Sequence, residues 1–501
     1  MTHHEMDADF VALPLDDLAD AALARAAELG ASHADVRIER HRTATTVLRD
    51  AELASSSDSV DLGISLRVVH AGSWGFAAGI TLTTQAARDL ADQAVAMAKV
   101  SAPLNPRSVE LADEPVHTGE WVSAYEVNPF EVPERQRLDR LVELSRALGG
   151  QPGVTHTEAR LMVVQENKFF ANLAGTRTRQ QRVRVHPELE ASNVSERGYS
   201  SMRTIAPPAG RGWEYLTGTG WDFDQEIAEM GGHLAGNVAA RSVEAGPLDL
   251  VIDPTQLFLT IHESVAHATE LDRALGYEAA YAGTSFATFD QLGSLRYGSP
   301  VMNVTGDRVT EHGLATVAWD DEGVGAQTFD IIRDGTLVGY QLNRQMAHEQ
   351  ALGRSNGCAF ADSAGHLPLQ RMPNVSLQPS PDDISLDDLV SKVDRGLYVV
   401  GDKSWSIDMQ RYNFQFTAQR FLVIENGRLT GEQVRDAAYQ ATTTDFWGSM
   451  EAVGGEQTWL LSGAFNCGKG QPGQVAAVSH GAPVALFREV NVLNTTQEGG
   501  Q

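Results

Sequence analysis

The chain has 501 residues, of which 42% are hydrophobic, and its formal net charge is −27. This composition is typical of a globular protein. The negative charge argues against nucleic acid or an anionic membrane as a partner, because both bind clustered Lys and Arg. There is no run of roughly 18 apolar residues and no apolar segment near the N-terminus, so neither a transmembrane helix nor a signal peptide is expected. The two cysteines, Cys358 and Cys467, are expected as free thiols rather than one disulfide, which predicts a cytoplasmic protein.

Helical and alternating apolar patterns in residues 1–244 predict an antiparallel sheet with flanking helices. The predicted helices are Leu15–Leu29, Thr84–Ala102, Glu134–Leu148 and Asp222–Ser242. The predicted strands are Ala34–Arg49, Val60–His70, Thr155–Val164, Phe169–Val185 and Leu189–Thr204, with NLAGT as a hairpin turn. The order of helix, strands and helix occurs twice. This order fits either a weak duplication or one sheet that spans both halves, and we favour a single N-terminal domain.

The stretch Leu257–Leu275, LFLTIHESVAHATELDRAL, places two histidines and a carboxylate in an apolar, helix-prone run. Neutral His binds zinc and Glu activates a metal-bound water, so His262 and His267 are candidate ligands and Glu263 is the candidate catalytic residue. In the familiar H-E-x-x-H motif the histidines are four residues apart on one helix face. Here they are five apart, which turns the second ring by about 140° on a regular α-helix. A π-bulge would bring the rings together, so we predict a local distortion between them. The alternative is two ordinary core or surface histidines.

The residues after this stretch predict a mainly β structure. Pro247–Asp253 is a predicted strand that leads into the motif, and from Tyr281 onward short β-type segments follow one another, with IRDG and IENG as hairpin signals. One predicted helix, Leu386–Val393, interrupts them. We therefore predict the α+β class. It consists of an N-terminal α/β domain, 1–244, with an antiparallel sheet and flanking helices, and a C-terminal mainly β domain, 245–501, that carries the metal-site helix.

A third metal ligand is suggested by Cys467 in NCGKGQPG, since two His and one Cys leave a fourth zinc position open for water. Lys469 beside it is expected to help lower the thiol pKa. Cys358 is the competing candidate on the same grounds. GAFNCGKG looks like a P-loop but has Gly470 where Ser or Thr must bind Mg²⁺, so nucleotide binding is not supported. Glu270, about one turn beyond the second histidine, is either an orienting partner for a ligand imidazole or a solvated helix charge.

Several segments in the C-terminal half occur in a characteristic order. They are HESVAHATELDRALGYEAAYAGTSF, LRYGSPVMNV, the DDEG at Asp320 to Gly323, HLPLQRMPN, RGLYVVGD, LVIENGRL and NCGKGQ. Together with ADVRIERHRTATTVLRDAEL and GISLRVVHAGSWGFAA near the N-terminus, they resemble the TldD/PmbA family. The resemblance runs from about residue 15 to about residue 490. It is to the TldD side, because H-E-x-x-x-H is present and the PmbA (TldE) side lacks this motif.

The resemblance implies a zinc-dependent peptidase that acts on unstructured peptides, with one zinc per chain. It implies His262, His267 and Cys467 as the ligands and Glu263 as the catalytic carboxylate, and it favours Cys467 over Cys358 because only Cys467 lies in the C-G-K signature. It also implies a dimer in which a metal-less paralogue helps to enclose the site; a dimer of identical chains stays open. The chain departs from the family at Ala266, where a Gly often precedes the second histidine.

The expected reaction is hydrolysis by a water that zinc activates, with Glu263 taking the water proton and passing it to the leaving amine. A peptide is expected to add as a strand to a sheet edge, which makes folded proteins poor substrates. The alternative is a non-catalytic metal-binding or scaffold subunit of a TldD/PmbA-type complex. A fourth protein ligand, for instance Cys358 or His366, would favour that alternative, because structural zinc sites normally have four.

Overall fold

The computed structural model describes residues 5–196, 198–470 and 472–498. Its N-terminal half is built on one seven-stranded sheet, in the order β3-β2-β1-β5-β6-β4, with β7 also paired to β6. The strands are β1 His33–Arg49, β2 Glu52–His70, β3 Ser73–Gly79, β4 Thr118–Val122, β5 His156–Asn172, β6 Arg177–Ser195 and β7 Gly198–Arg203. β1 and β5 pair antiparallel at the centre, so a single sheet spans both halves of this region.

Helices cover one face of this sheet. They are α1 Ala8–Val11, α2 Leu15–Glu28, α3 Thr84–Ser101, α4 Glu134–Gly149 and α5 Phe223–Ala239, with 3-10 turns at Ala102–Leu104 and Trp213–Thr217. Alternation along β1 explains which face they cover, because successive side chains point to opposite sides of a strand. Val36 and Ile38 pack under α2 and α3, and Ala44 and Leu48 pack in the core that α4 and α5 cover. The intervening charged residues of β1 are left for the other face.

The predicted N-terminal helices are confirmed, except that the last ends at Ala239 and Ser242 lies in a short strand, and several predicted strand boundaries are wrong. β2 begins at Glu52 rather than at Val60. The break expected after Val164 does not exist, and β5 continues to Asn172. The polar residues 165–168 interrupt the apolar pattern, yet all four side chains are buried and hydrogen-bonded within the molecule. The predicted strand Leu189–Thr204 is the end of β6 followed by β7. The NLAGT turn between β5 and β6 is confirmed.

The C-terminal half is mainly β, as predicted. Its strands are β8 Arg241–Ser242, β9 Gly246–Ile252, β10 Val304–Asp307, β11 Thr328–Arg333, β12 Thr336–Leu337, β13 Ala359–Phe360, β14 Leu369–Gln370, β15 Asn374–Leu377, β16 Arg395–Ile407, β17 Asn413–Glu425, β18 Arg428–Arg435, β19 Ala437–Thr442, β20 Met450–Val453, β21 Leu460–Lys469, β22 Gln474–Ala482 and β23 Ala485–Asn494. The helices are α6 Pro254–Ile261, α7 Leu271–Ala274, α8 Arg344–Glu349, α9 Leu386–Val390, α10 Thr443–Gly448 and α11 Thr495–Glu498. Short 3-10 turns lie at His267–Thr269, Phe289–Gln291 and Glu456–Thr458.

The main C-terminal sheet has eight strands, and an additional pairing of β16 with β17 closes part of it into a ring. Both predicted hairpins are present, between β11 and β12 and between β17 and β18. The α+β class is therefore confirmed. The boundary between 244 and 245 stays a prediction; β8, which precedes it, already pairs with β18. None of the helices in the described part of the chain has both the length and the apolar character that a membrane span requires.

The two halves meet through charged side chains on the open face of the N-terminal sheet. Arg67 of β2 and Lys168 of β5 bond to the DDEG loop, at Glu322 (3.0 Å) and Asp321 (2.7 Å). Gly323 ends this loop with a φ of 74°, and a Cβ there would lie 2.6 Å from the ring of Phe170. Both the backbone conformation and the close approach require glycine. This loop thus fixes the C-terminal half on the N-terminal sheet.

Candidate metal centre

The motif helix begins with a strong N-cap and ends in a distortion. The Asp253 side chain accepts the Thr255 amide hydrogen bond at 2.9 Å, and Pro254 occupies the first turn of α6, where its missing N–H is not needed. A π-helical turn, His262–Ala266, follows directly. Its last bond runs from the His267 amide to the His262 carbonyl, which confirms the predicted i→i+5 turn. The two rings consequently lie on one side, with centroids 4.8 Å apart.

Cys467 completes a buried group of three possible ligands. It lies on β21, just after an irregularity in the pairing with β22. One ligand atom each from His262, His267 and Cys467 lie within 4.8 Å of one another, and Cys467 Sγ is 3.6 Å from His267 Nε2. The two histidines and Cys467 are each no more than 5% exposed. The structure thus brings together all three residues that were predicted as metal ligands.

The competing ligands lie elsewhere. The Cys358 thiol donates to Asn356 Oδ1 at 3.2 Å, and burial raises its pKa to about 12. His366 bonds through Nδ1 to Asp362 at 2.6 Å. Neither belongs to the group around Cys467, so among the described residues the group has three protein ligands. A three-ligand set matches catalytic zinc sites, which keep one position open.

Hydrogen bonds to the histidines leave both Nε2 atoms free to bind a metal. His480 Nδ1 donates to the Val375 carbonyl at 2.9 Å, so its Nε2 is the acceptor for His262 Nδ1 at 2.7 Å. His267 Nδ1 donates to Glu270 Oε2 at 2.9 Å. Of the two alternatives left open for Glu270, this bond and its full burial favour the orienting partner over a solvated helix charge. Burial lowers the pKa of each of the three imidazoles, which keeps them neutral as metal binding requires.

The groups around the site lower the pKa of both Cys467 and Glu270 and so favour their ionised forms. Burial alone raises the pKa of the Cys467 thiol, but His267 and then Arg371 more than offset burial and the pKa lies below its usual value. Burial also opposes ionisation of Glu270, yet Lys469 holds its pKa well below the usual range. Lys469 was expected to act on the thiol. Instead it pairs with Glu270 at 3.0 Å, and also with Asp272 and Glu278.

Glu263, the predicted catalytic carboxylate, lies beside the first histidine and is 5% exposed. Its Oε2 accepts a hydrogen bond from Arg411 Nη1. Arg411 lies in the turn between β16 and β17, where it has a φ of 62°. Sequence reasoning missed both Arg411 and His480, because their contacts join residues 148 and 218 positions apart. A basic residue at a turn and a histidine within a strand carry no local signal for such contacts.

The residue before the second histidine does not need a backbone conformation that only glycine adopts. Ala266 has a φ of −64° and a ψ of −51°, ordinary right-handed helical values, and is fully buried. The departure from the family pattern therefore introduces no conformational conflict at this position.

Comparisons with known proteins indicate a metallopeptidase family. A model of the PmbA/TldA metallopeptidase C-terminal domain matches residues 245–494, and one of PmbA/TldA metallopeptidase domain 1 matches 34–98. A protein of Methanothermobacter thermautotrophicus named metalloprotease is 25% identical over 98% of this chain and 100% of its own length. A zinc metalloprotease TldD homolog of Saccharolobus solfataricus is 24% identical over 93% of this chain and 98% of its own. TldE from Thermococcus kodakarensis, at 16% identity, shares the fold with a TM-score of 0.71 over 95% of this chain and 99% of that chain.

Proposed function

Because the chain belongs to the PmbA/TldD metallopeptidase family, we propose that it is a zinc-dependent peptidase that hydrolyses peptide bonds in unstructured peptides. The observation that carries this proposal is the buried group of His262, His267 and Cys467 directly beside Glu263. Two neutral imidazoles and a thiolate are a donor set that suits zinc. Zinc bound there would polarise the scissile carbonyl and lower the pKa of a water.

The protein's own residues supply the proton transfers and the positioning. Arg411 binds Glu263 Oε2, which leaves Oε1 as the oxygen that takes a proton from the attacking water and passes it to the leaving amine. His480 and Glu270 hold the two ligand imidazoles through Nδ1, which fixes their tautomers and ring planes. Lys469 neutralises the carboxylates behind the site, so the Glu270 charge persists without water.

The open edge of β21 supports an extended peptide as substrate. β21 carries Cys467 and pairs with β22, and none of the other described strands pairs with it. Asn466 and Gly468, on either side of the cysteine, are exposed. A peptide that adds to this edge would be held by main-chain hydrogen bonds beside the metal ligands. Edge pairing needs an extended chain, which accounts for the proposed preference for unstructured peptides.

Exposed apolar side chains near the site support a dimer, with a metal-less paralogue or with a second copy. Tyr281 is 56% exposed and its ring packs against Gly470, close to Cys467. Met409, 57% exposed, is two residues from Arg411 and packs against Gly283. Exposed apolar residues that cluster beside a site are typical of interaction surfaces. Light scattering of the purified chain, alone and with a paralogue, tests this proposal. Met409→Glu is expected to weaken association, and unchanged association would contradict the surface assignment.

The metal site is tested by metal content. We expect about one zinc per chain in the wild type, lost in His262→Ala, His267→Ala and Cys467→Ala. Cys358→Ala is the matched control and should retain zinc. Both cysteines are free and buried, which also fits the proposed cytoplasmic location. Zinc lost from Cys358→Ala but kept by Cys467→Ala would mean that the wrong thiol has been assigned.

The catalytic role is tested by Glu263→Ala with cleavage of an unstructured peptide. The variant should keep its zinc and lose cleavage by about 100-fold or more, because the proton acceptor is gone. Glu114→Ala, which removes a carboxylate paired with Arg354 away from the site, should cleave normally. Near wild-type cleavage by the zinc-loaded Glu263 variant would reject the mechanism. A zinc-loaded wild type that cleaves no peptide, with or without a paralogue, would favour the scaffold alternative.

A further inference from the structure

We propose that a cavity between the two halves of the molecule binds a small organic anion with an apolar body. The cavity has a volume of about 520 Å³, opens to solvent, and is lined mainly by α5, β7, β17 and the loop before α5. This is within the size range of small-molecule sites, which often lie where domains meet. Neither the metal ligands nor Glu263 line it, so the site is distinct from the proposed peptidase centre.

The first observation is a partly buried cation with no partner. Arg420 of β17 lines the cavity, and among the described residues none accepts a hydrogen bond from its guanidinium or forms an ion pair with it. Burial lowers the pKa of Arg420, and the more distant carboxylates of Asp253, Glu226 and Glu229 offset burial only in part. A cation that has left water normally has a direct partner. A bound anion would supply it.

The second observation is a further donor beside Arg420. His233 of α5 is half-buried in the same wall, and no group in the described chain forms a hydrogen bond with its ring. Arg420 is close enough to help lower the His233 pKa, although burial contributes more. Two side chains in one cavity wall thus lack a hydrogen-bond partner.

The acidic residues of the cavity are already occupied. Glu226 accepts hydrogen bonds from the Ile205 amide and from Trp221 Nε1, and burial raises its pKa. Asp222 caps α5 through the Gln225 amide, and Glu229 accepts from the Gln225 side chain. Among the charged residues that line the cavity in the described chain, Arg420 is therefore the one without a direct partner, and His233 is a neutral side chain beside it. An anion is the ligand that would pair with this guanidinium.

The remaining wall defines the rest of the ligand. Met202, Ile205, Trp221 and Met230 line the cavity with apolar and aromatic atoms. A guanidinium presents a planar fork that matches a carboxylate or a phosphate. The geometry therefore favours an aromatic or branched aliphatic acid, or a monoester of phosphate with such a group. The anionic end would lie at Arg420 and His233, and the apolar end would lie against Trp221.

Calorimetric titration of the full-length protein tests this assignment with three probes: phenylacetate, phenyl phosphate and the neutral phenylacetamide. At least one anion should bind and the amide should not, since it lacks the charge that Arg420 pairs with. Binding of phenylacetate alone or phenyl phosphate alone identifies the headgroup, and either result supports the site. Absence of binding by both anions would overturn the proposal.

Substitutions of the cavity residues test whether the anion binds in this cavity. Arg420→Gln should weaken the anion at least tenfold, His233→Gln should weaken it less, and Arg420→Lys should give an intermediate loss because it keeps the charge but not the fork. Arg428→Gln, at an exposed position of β18 in the same sheet, is the matched control and should bind as the wild type does. Equal affinity in Arg420→Gln and the control would overturn the assignment. Because the readout is binding, a failure of the peptidase proposal does not affect this test.

Discussion

Two groups of buried charged residues have similar compositions, but one contacts the metal centre and the other joins the two halves of the molecule. Behind the metal centre, Lys469 binds Glu270 and Asp272, and Glu270 in turn holds a ligand imidazole. Between the halves, Lys168 binds Asp321, and Arg67 binds Glu322. The first group ends on Nδ1 of His267, whose other ring nitrogen, Nε2, would bind zinc. The second ends on backbone groups and side chains of the opposite half, such as the Ala361 amide at 2.7 Å from Asp321.

The first group therefore modifies the properties of the metal ligands, whereas the second group holds the two halves of the molecule together. A buried ion pair is a weak source of stability by itself, but removal of one partner leaves an uncompensated charge. Loss of a partner at the interface should therefore destabilise the whole fold, whereas loss of a partner behind the metal centre should show first in zinc affinity. This distinction would be contradicted if a substitution at the interface changed zinc affinity but not stability, or if one behind the metal centre unfolded the protein.

The largest effect is expected for Lys168→Met. This change leaves Arg37, at 3.9 Å, as the cation nearest to the buried Asp321, with Glu39 and Glu166 at 3.6 and 3.8 Å from the missing ammonium. The free energy of unfolding should fall by about 3 to 5 kcal/mol, as measured by urea denaturation. Lys392→Met, at an exposed position, should stay within about 0.5 kcal/mol. A Lys168 variant as stable as this control would show that the interface charges do not hold the halves together.

Glu270→Gln should act on zinc rather than on the fold. Gln retains an acceptor for His267 Nδ1 but removes the charge that supports the imidazole, and Lys469 keeps Asp272 as a partner. Zinc affinity should fall by about 10- to 100-fold, as measured by competition with a chelator. The apo protein should lose less stability than Lys168→Met. A variant with unchanged zinc affinity would remove Glu270 from the metal site.

The local part of the metal centre was predictable from the sequence. Because they are five positions apart, His262 and His267 can bind the same metal in only a few backbone conformations, and the π-turn is one of these. Glu270 follows from the same argument, since it lies one turn further along the chain. The position of Cys467 came from a resemblance to known proteins, and its loop alone did not distinguish it from Cys358.

The contacts between distant parts of the chain were not predictable, because a polar residue within a predicted strand is normally expected to be exposed to solvent. Gln165 to Lys168 interrupt the apolar pattern of β5, yet they are buried because other parts of the chain supply polar partners: Asn128 for Gln165, Arg182 for Glu166, Gln181 for Asn167 and the DDEG loop for Lys168. The same holds for His480, which fixes His262 from β22. The alternation and spacing of apolar residues in a sequence indicate which side chains are buried against apolar neighbours. They do not report burial against charges that another part of the chain supplies.

Asp320 should make the stability of the interface depend on pH. Burial first, and then Glu322, raise the pKa of Asp320 from its usual value to about 7. Between about pH 4 and pH 7 the folded protein thus holds a proton that the unfolded chain has lost, so stability falls as pH rises through this window, by about 1.4 kcal/mol per unit. Asp320→Asn should lack this part of the slope, as measured by urea denaturation at pH 5, 6, 7 and 8. Parallel slopes in the two proteins would show that Asp320 is ionised throughout, held by its three backbone hydrogen bonds.

The smallest effect is expected for Ala266→Gly, which restores the residue that the family often has. Ala266 already has right-handed helical angles, so glycine brings no relief of strain; it adds freedom to the unfolded chain and removes a buried methyl group. The free energy of unfolding should fall by about 1 to 2 kcal/mol, and zinc affinity should not change. Ala96→Gly, at an exposed position within α3, is the control for the backbone effect alone and should cost about 1 kcal/mol. If Ala266→Gly instead strengthened zinc binding, the methyl group would be holding the π-turn away from its best geometry, and the metal centre would depend on backbone packing as well as on its charged partners.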